Sequence, residues 1–435
     1  MKKFIILIVI LTFTAGIEAT PVLSKKDFSY FEVLEFEELL NLLNYSPKNF
    51  PFVISKLHAI IKDTKNPNFL IKKTKAEILK KPESSEFHQL LGEIYIETNQ
   101  PDLSIPCFEK AGELKKTKEI SLLQLGEKLI NKKFYNEAIK TFTKIKDVPP
   151  FGPLANYQIA LSFYNLGSYD SSLNILDEMI NESVPTPYLF QSYALRGEIF
   201  FETRDLSRAK ETLSFFKNQQ EQNEIINKAL SRLTEVEFLL GNFGIAEIQF
   251  TVFTNFSSSA NFYLAEICFL KDEYAAAKQS FEDFAKRFPS EPETNKSLLR
   301  ILLLSKNKEN ESELKTLTRI IRAKNSYKLS DAENNANDFI GKNPNSKLLV
   351  YFLMELGEIY SLENKWPEAL KIYEKIQTMD SYFYKQEATK QLAAIYEKNL
   401  KDNAKARAEY IKSLTDFPEN PVIELIRKKI EELKP

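Results

Sequence analysis

The chain has little of the residue types on which phosphate binding depends. Its 435 residues include only 11 glycines, which is too few for glycine-rich phosphate loops or for many tight hairpin turns. Neither a Gly-x-Gly-x-x-Gly string nor a Gly-Lys-Ser/Thr string occurs. The sequence therefore lacks the common phosphate-binding motifs and favours helix throughout.

Histidine and cysteine are also scarce, with two of each. General acid–base catalysis most often uses histidine, and His88 falls at a repeat position where helices pack, so we interpret it as a half-buried structural residue. No Cys-x-x-Cys, His-Glu-x-x-His or acidic calcium loop is present, and nothing marks a pair of carboxylates as convergent. The sequence thus predicts no enzyme, no cofactor and no metal site.

An excess of either charge is missing as well. Lys and Arg total 59 against 60 Asp and Glu, which gives a formal net charge of −1. A nucleic-acid-binding protein normally carries a surplus of basic residues that neutralise phosphates, so we expect no nucleic-acid partner. Hydrophobic residues at 43% and charged residues at 27% are typical of a folded protein.

A long apolar run occurs only near the amino terminus. Two lysines precede an apolar stretch from Phe4 to Gly16, and Ala19 follows shortly after. This order is typical of a secretory signal peptide, so we predict that residues 1–19 are removed on export to the periplasm or cell envelope. An uncleaved membrane anchor is the alternative, although it needs about 20 apolar residues. No cysteine follows the run, so a lipoprotein cleavage site is not expected.

The chain contains a sequence pattern that recurs every 34 residues in its clearest copies. Gly92 and Gly126 lie 34 residues apart, each after a leucine, and Ala160 follows after another 34. Each copy has a small residue in one helical segment, a turn, and then an Ala or Ser position followed by large apolar residues at helical spacing. A fixed period with two helical segments per copy predicts stacked helical hairpins, each burying its apolar face against its neighbours.

The pattern recurs through residues 86–290 and 347–420. The small residues in the first helices of the clearest copies are Gly92, Gly126, Ala160, Gly197, Ala265, Gly357 and Ala393. In several copies a proline follows the second helix, where it prevents the helix from continuing: Pro149, Pro185, Pro289 and Pro418. The last copy has an extra residue between its two helices.

These residues resemble the tetratricopeptide repeat family, whose pattern of Leu-Gly, Tyr, Ala, Phe and a closing Pro is visible in several copies. The resemblance implies an all-α fold, namely an α-solenoid of helical hairpins that forms a right-handed superhelix. It also implies a scaffold that binds a protein or peptide partner in a concave groove. The repeat pattern does not specify which partner.

Three segments depart from the period. Residues 28–85 carry apolar stripes that predict a helical cap or degenerate repeats. Residues 291–346 predict degenerate repeats with an insertion, including a stripe at 298–302 and an apparently isolated second helix around Phe339. Residues 421–435 predict an amphipathic capping helix, with a membrane-surface helix as the alternative.

The two cysteines, Cys107 and Cys268, fall in different repeats, which do not touch in a linear stack. Both occupy apolar positions of their hairpins, where cysteine behaves as a small hydrophobe. We therefore predict buried cysteines, against the alternatives of a disulfide or a reactive thiol.

One column of the repeat is uniform, because the residue after the small position is glutamate in six units: Glu93, Glu127, Glu198, Glu235, Glu266 and Glu358. By resemblance to the family, this position faces the groove together with positions held by Tyr157, Tyr164, Asn165, Phe201, Phe238, Phe262 and Phe269. Such an acidic row edged with aromatics suits a peptide that offers basic and apolar side chains. The alternative is that glutamate is a good helix former and that the aromatics pack between units.

The sequence thus predicts a non-catalytic, exported scaffold of the bacterial cell envelope that binds a protein or peptide. One alternative is an envelope glycan-acting enzyme or its regulatory subunit. Another is an assembly factor related to outer-membrane biogenesis or to Tol-Pal components, whose repeats the unit from Ala277 to Pro289 resembles. A homodimer formed through the ends of the stack is a third alternative.

Overall fold

The computed structural model describes residues 28–63, 67–181, 187–219, 223–253, 258–419 and 423–433. All regular structure within these ranges is helical, which confirms the predicted all-α class. The predicted signal peptide, residues 1–19, lies outside the described residues, as do Pro185 and Pro421. No helix in the described ranges is both long enough and apolar enough to cross a membrane.

The described ranges contain 23 α-helices. They are α1 (Phe28–Tyr45), α2 (Phe50–Asp63), α3 (Asn68–Lys80), α4 (Ser85–Glu97), α5 (Ser104–Lys115), α6 (Lys118–Asn131), α7 (Tyr135–Thr143), α8 (Gly152–Asn165), α9 (Tyr169–Asn181), α10 (Leu189–Glu202), α11 (Leu206–Leu213), α12 (Glu224–Leu239), α13 (Phe243–Phe253), α14 (Ser258–Leu270), α15 (Tyr274–Arg287), α16 (Glu293–Lys306), α17 (Glu311–Asn325), α18 (Leu329–Lys342), α19 (Leu349–Leu362), α20 (Trp366–Gln377), α21 (Tyr382–Ala394), α22 (Asn403–Asp416) and α23 (Ile423–Glu432).

The chain divides into two compact units, Met1–Ser192 and Tyr193–Pro435, which we call unit 1 and unit 2. In unit 1, α1 to α3 share a core with α4, in which Phe36, Leu57 and Leu70 pack with Phe87 and Leu90. Three helices within the described ranges therefore precede the first complete hairpin and pack against its first helix.

Within the described ranges nine helix pairs form hairpins: α4–α5, α6–α7, α8–α9, α10–α11, α12–α13, α14–α15, α17–α18, α19–α20 and α21–α22. Each turn contains one residue with a positive φ between 55° and 79°: Asn99, Lys133, Gly167, Arg204, Gly241, Asp272, Tyr327, Asn364 and Lys401. The next backbone N–H usually donates to a carbonyl five residues earlier, as Gln100 does to Tyr95 at 2.8 Å. A left-handed residue with this hydrogen bond is the usual way to end a helix and reverse the chain.

Within a hairpin, the small residue of the first helix makes room for a large residue of the second. A Cβ atom added to Gly126 would lie 2.4 Å from Phe142, and one added to Gly357 would lie 2.8 Å from Tyr373. Gly92 faces Phe108 in the same way. The small-to-large pattern of the sequence is therefore a set of close contacts between paired helices.

The segment 291–346 differs from the prediction. The helix around Phe339, α18, is not isolated, because it folds back on α17 through the turn at Tyr327. The helix without a hairpin partner is α16, which packs mainly on α15. Thr318 of α17 donates to the Asp272 carboxylate at 2.6 Å, and this bond attaches α17 to the turn between α14 and α15.

The last two described helices, α22 and α23, follow the final hairpin turn and pack on each other. The extra residue in the final hairpin is accommodated by a π-helical turn over Ile395–Asn399. After it, α23 packs on α22 and buries Ile426 and Ile430, so that it covers the end of the helix stack. The capping role expected for residues 421–435 stays a prediction.

Candidate functional site

Cys107, Cys268 and His88 make contacts typical of structural residues. Cys107 is buried and Cys268 is half-buried, and neither forms a disulfide. Burial raises the pKa of the Cys107 thiol to about 11, which keeps it protonated and unreactive at neutral pH. His88 is half-buried, with Nε2 3.0 Å from the carbonyl oxygen of Pro82. Among the described residues, no group of three His, Cys, Asp or Glu side chains could hold a metal ion.

The glutamate column is engaged in ion pairs. Glu93, on α4, is almost completely buried and accepts from Lys128 of α6. Glu127, on α6, is exposed. The other four members lie in unit 2, on α10, α12, α14 and α19, and each pairs with a lysine or arginine.

The pair between α10 and α12 has a distinct geometry. Nε and Nη2 of Arg232 each donate to the Glu198 carboxylate at 2.8 Å. The same guanidinium lies 4.1 Å from the ring centroid of Phe201, one helical turn after Glu198, and it also donates to Glu235. Arginine is suited to this role because its planar fork matches a carboxylate while its face stacks on an aromatic ring.

The same arrangement recurs between α14 and α16. Nε and Nη2 of Arg300 donate to the Glu266 carboxylate at 2.8 and 3.3 Å, and the guanidinium lies 4.4 Å from the centroid of Phe269. In both cases the arginine lies 34 residues after the glutamate, and the phenylalanine lies three residues after the same glutamate. Two places in unit 2 therefore carry one repeated Glu–Phe–Arg motif.

A third set of charges lies near the second motif. Lys324 of α17 donates to Glu355 and Glu358 of α19. Arg300 interacts electrostatically with Glu355, which links this set to the second motif. Burial, together with the nearby carboxylates of Glu235 and Glu266, raises the pKa of Tyr263, so both motifs lie near this side chain. We call the resulting set the charge row; it consists of Glu198, Arg232, Glu235, Glu266, Arg300, Lys324, Glu355 and Glu358.

The charge row contains more negative than positive groups. With every member ionised it has five carboxylates and three cations, an excess of two negative charges. Burial raises the pKa of Glu235 and of Glu355 above the ordinary value, because their charged forms are poorly solvated. Burial acts in the same direction on Glu358, but the Lys324 ammonium outweighs it and lowers that pKa.

The predicted aromatic edge is corrected at three positions. Phe238, Phe262 and Phe269 are at most 7% exposed. Phe262 packs against the ring of Phe281, and Phe238 packs against Tyr263, so these rings fill the space between helices. The structure therefore places them in the core, where a partner could not contact them, as the alternative interpretation stated.

The remaining predicted positions stay closer to the surface. Phe201 is half-buried beneath Arg232. Tyr157 is half-buried and stacks on Tyr188 at 5.6 Å, and burial raises its pKa. Tyr164 is half-buried, and Asn165 is exposed, with its amide donating to a carbonyl of its own helix. Their predicted role in partner binding stays a prediction.

The four members of the charge row outside the column were missed from the sequence: Arg232, Arg300, Lys324 and Glu355. A signal for three of them existed, since each basic residue lies 34 positions from a column glutamate. The ion pairs could have been predicted from the basic residues that lie one period away from the column glutamates.

Comparison with known proteins agrees with the hairpin architecture. Residues 85–118 and 353–381 match models described as tetratricopeptide repeat. These segments cover α4–α5 in unit 1 and α19–α20 in unit 2. Among curated protein sequences, none matches the chain.

Several solved structures are similar at low identity. A chain of the Naa15/Naa10 structure with bound HypK-THB is 15% identical over 92% of this chain and 64% of that chain, with a TM-score of 0.38. A tetratricopeptide repeat protein from Parabacteroides merdae is 14% identical over 65% of this chain and 98% of its own, with a TM-score of 0.31. The C-terminal part of a repeat protein from Cytophaga hutchinsonii is 16% identical over 72% and 99%, with a TM-score of 0.34.

The chain spans 64% of the length of the Naa15/Naa10 chain that it matches. With identities of 16% or less and TM-scores below 0.5, these likenesses carry no argument about function. The matches to family models do support an argument about function, because tetratricopeptide repeats generally form non-catalytic scaffolds. The chain thus contains tetratricopeptide repeats in both of its units, and these repeats indicate a scaffold for protein interaction.

Proposed function

We propose that this chain is a non-catalytic scaffold of the bacterial cell envelope that binds a protein or peptide carrying basic side chains. Export would depend on residues 1–19, whose lysines and apolar stretch have the order of a signal peptide. Binding would take place at the charge row of unit 2.

The charge excess of the row is the observation that supports this proposal. Its three cations are shared among five carboxylates, and Lys296 also acts electrostatically on Glu358, so at least one carboxylate of the row has no cation of its own. The two most exposed carboxylates of the row are Glu198, at 28%, and Glu358, at 46%. A lysine or arginine from a partner could therefore reach the row at these two places.

The half-buried setting strengthens such an interaction. Charges shielded from bulk water interact through a lower effective dielectric, so a partner cation gains more than it would on an open surface. The internal cations hold the carboxylates in place before the partner arrives, which reduces the ordering cost of binding. Salt should weaken the complex, because part of the attraction acts through solvent.

The test is capture of envelope proteins on the immobilised chain. We expect the double variant Glu198→Gln/Glu358→Gln to lose the proteins that the unchanged chain captures, while far-ultraviolet circular dichroism stays the same. Glutamine keeps the size of the side chain and one acceptor oxygen, whereas the negative charge is lost and the second oxygen becomes an amide NH2 that cannot accept from Arg232 or Lys324. A matched control is Glu224→Gln on α12, where the carboxylate is 80% exposed and lies outside the row. Capture of the same proteins by the double variant would contradict the proposed site.

Export has a separate test. The full chain should appear in the periplasmic fraction with a new amino terminus near residue 20, and the chain without residues 1–19 should stay in the cytoplasm. Mass spectrometry of the purified protein distinguishes cleavage from anchoring. Retention of Met1 in a membrane fraction would contradict the signal peptide and favour the anchor.

A further inference from the structure

One glutamate of the column has no cation within the described part of the chain. Glu127 is exposed on α6, and no lysine or arginine nitrogen of the described residues lies within ion-pair distance of its carboxylate. The adjacent Lys128 pairs instead with Glu93, which is 3% exposed. The other five column glutamates are each paired with a lysine or an arginine. Glu127 is therefore an exception to the pattern of its own column.

The sequence explains why Glu127 is unpaired. The other column glutamates take their cations from four places: three residues before the glutamate, 34 before it, 34 after it or 35 after it. For Glu127 these places hold, in the same order, Gln124, Glu93, Leu161 and Ser162. None of the four residues is basic, so the repeat pattern supplies no internal cation here.

The next hairpin cannot supply the missing cation from another position. No lysine or arginine occurs between Lys146 and Arg196, whereas five acidic residues do. Helix α8 is the only described α-helix without any charged residue. Because α6 and α8 share one apolar core, α8 is the helix of the following repeat that packs next to α6. A cation that pairs with Glu127 on this side has to come from outside the hairpin α8–α9.

An apolar side chain lies where the cation would be. Residues about one period apart on successive first helices lie side by side, as Lys132 and Glu97 show with an ion pair of 2.6 Å. The same relation places Leu161 of α8 beside Glu127. Leu161 is half-buried, so part of its side chain stays in contact with solvent. The unpaired carboxylate therefore borders an apolar surface.

Two tyrosines extend this apolar surface along α8. Tyr157 lies four residues before Leu161 and Tyr164 lies three residues after it, so all three share one face of the helix. The ring of Tyr157 stacks on Tyr188 with centroids 5.6 Å apart, and the centroid of Tyr164 is 5.9 Å from that of Tyr169. A second ring thus holds each tyrosine in place. The face of a tyrosine ring attracts a cation, and leucine can contact the apolar stem of lysine or arginine.

We propose that Glu127, Tyr157, Leu161 and Tyr164 form a binding subsite in unit 1 for a lysine or arginine side chain of the partner. We call this set the α8 subsite. It rests on the proposed function, because it assumes a partner that carries basic side chains. The carboxylate pairs with the partner's cation, while the rings and Leu161 contact its apolar stem. A partner cation meets an unshared carboxylate here, whereas the carboxylates of the charge row are already shared among internal cations.

Isothermal titration calorimetry with a defined peptide tests the subsite. The probe is a ten-residue peptide of lysine, leucine and alanine with both ends blocked, and the comparison peptide has glutamate in place of lysine. The unchanged chain should bind only the lysine peptide. Glu127→Gln should weaken this binding about three- to fivefold, the size expected for one exposed ion pair. Glu83→Gln is the matched control, since Glu83 is also exposed in unit 1 and should have no effect.

Leu161→Arg restores the internal cation that other repeats have. The added guanidinium would stand 34 residues after Glu127, as Arg232 does after Glu198. We therefore expect the helical circular dichroism to be unchanged and the lysine peptide to bind at least tenfold more weakly. Leu103→Arg is the matched control, because Leu103 is 47% exposed in unit 1 and lies outside the subsite. It adds the same charge and should leave binding unchanged.

The results distinguish the α8 subsite from the charge row. Loss of peptide binding in Leu161→Arg but not in Glu198→Gln/Glu358→Gln supports the α8 subsite and contradicts binding at the charge row. Loss in both variants supports both sites. Loss in the charge-row variant alone, or equal effects of Leu161→Arg and Leu103→Arg, overturns the α8 subsite. A chain that binds the lysine peptide no better than the glutamate peptide also overturns it, and capture of envelope proteins then still tests the charge row.

Discussion

At the scale of single residues, six of the described glycines fall into two groups with different roles. In four hairpins a glycine sits in the first helix beneath a large residue of the second: Gly92, Gly126, Gly197 and Gly357. At Gly167 and Gly241 it occupies a turn with positive φ, where a glycine adopts the left-handed conformation without strain. Only the first role depends on the space available between helices.

Replacement of a packed glycine should therefore destabilise the chain. We expect Gly126→Ala to lower the free energy of unfolding by about 1–3 kcal/mol, because the new methyl group would overlap the Phe142 ring. Gly341→Ala is the control, since no described atom lies within 4 Å of its added Cβ, and it should gain up to about 1 kcal/mol. Urea denaturation followed by circular dichroism measures both, and equal midpoints would contradict the packing role of Gly126.

A buried carboxylate gives a prediction about pH. Burial acts to raise the pKa of Glu237, but hydrogen bonds from Lys210 at 2.9 Å and Asn242 at 2.7 Å outweigh it and lower that pKa. A group whose pKa is lowered by folding contributes stability above its unfolded pKa of about 4.3, and this contribution is lost as the pH falls towards the folded value. Glu237 therefore stabilises the fold at neutral pH.

We expect the loss of stability caused by Glu237→Gln to become smaller at low pH. Glu237→Gln should be less stable than the unchanged chain at pH 7, and the gap should narrow as the pH falls below about 4.3. Urea midpoints measured between pH 7 and pH 3 provide the comparison. A gap that stays constant over this range would show that the ionised form of Glu237 contributes nothing.

At the scale of elements, the buried face of α16 could not be predicted from its apolar pattern. Seven of its fourteen residues, from Leu298 to Leu304, are leucine, isoleucine or arginine, so the run is apolar on nearly every side. The predicted stripe at 298–302 is only partly buried. Leu299 and Ile301 pack against the core, but Leu298 is 51% exposed, and the most buried residues are Leu303 and Leu304, at most 3% exposed. The buried face depends on α15 and on the turn that attaches α17, and neither is encoded within the helix itself.

Truncation of the buried face of α16 tests its docking. We expect Leu303→Ala to cost about 2–5 kcal/mol, since the side chain is 1% exposed and leaves a cavity when removed. Leu298→Ala should change the free energy of unfolding by less than about 0.5 kcal/mol, because that residue is already in solvent. Chemical denaturation of both variants decides the matter, and similar losses would mean that α16 presents a different face.

At the scale of the whole molecule, contacts within each unit join mostly successive helices, and many ion pairs join successive repeats. Lys132 pairs with Glu97 at 2.6 Å and Lys144 with Glu109 at 3.1 Å, each 35 residues away. Lys365 pairs in the same way with Glu333 at 2.7 Å. A structure held together by neighbour contacts should respond to damage locally.

Hydrogen exchange can detect this local response. In Gly126→Ala we expect amide protection to fall in α6 and α7 and in the helices next to them, while α19 and α20 keep the protection of the unchanged chain. The same measurement on Gly341→Ala should show no loss in either region. A uniform loss along the chain would indicate a single cooperative core instead.

The amino-acid sequence by itself determined the helical class, the hairpin period and the small-to-large contacts, because these depend on residues within one repeat or its neighbour. It also predicted buried cysteines and a capping helix at the carboxyl end from local apolar patterns. Tertiary structure alone decided that four of the six column glutamates, Glu93, Glu198, Glu266 and Glu358, are paired with cations about one repeat away. It also decided that Phe238, Phe262 and Phe269 lie in the core and that α16 has no hairpin partner. The physical reason is that burial and ion pairing depend on which helices pack together, and a periodic pattern specifies the repeated contact but not where the period is broken.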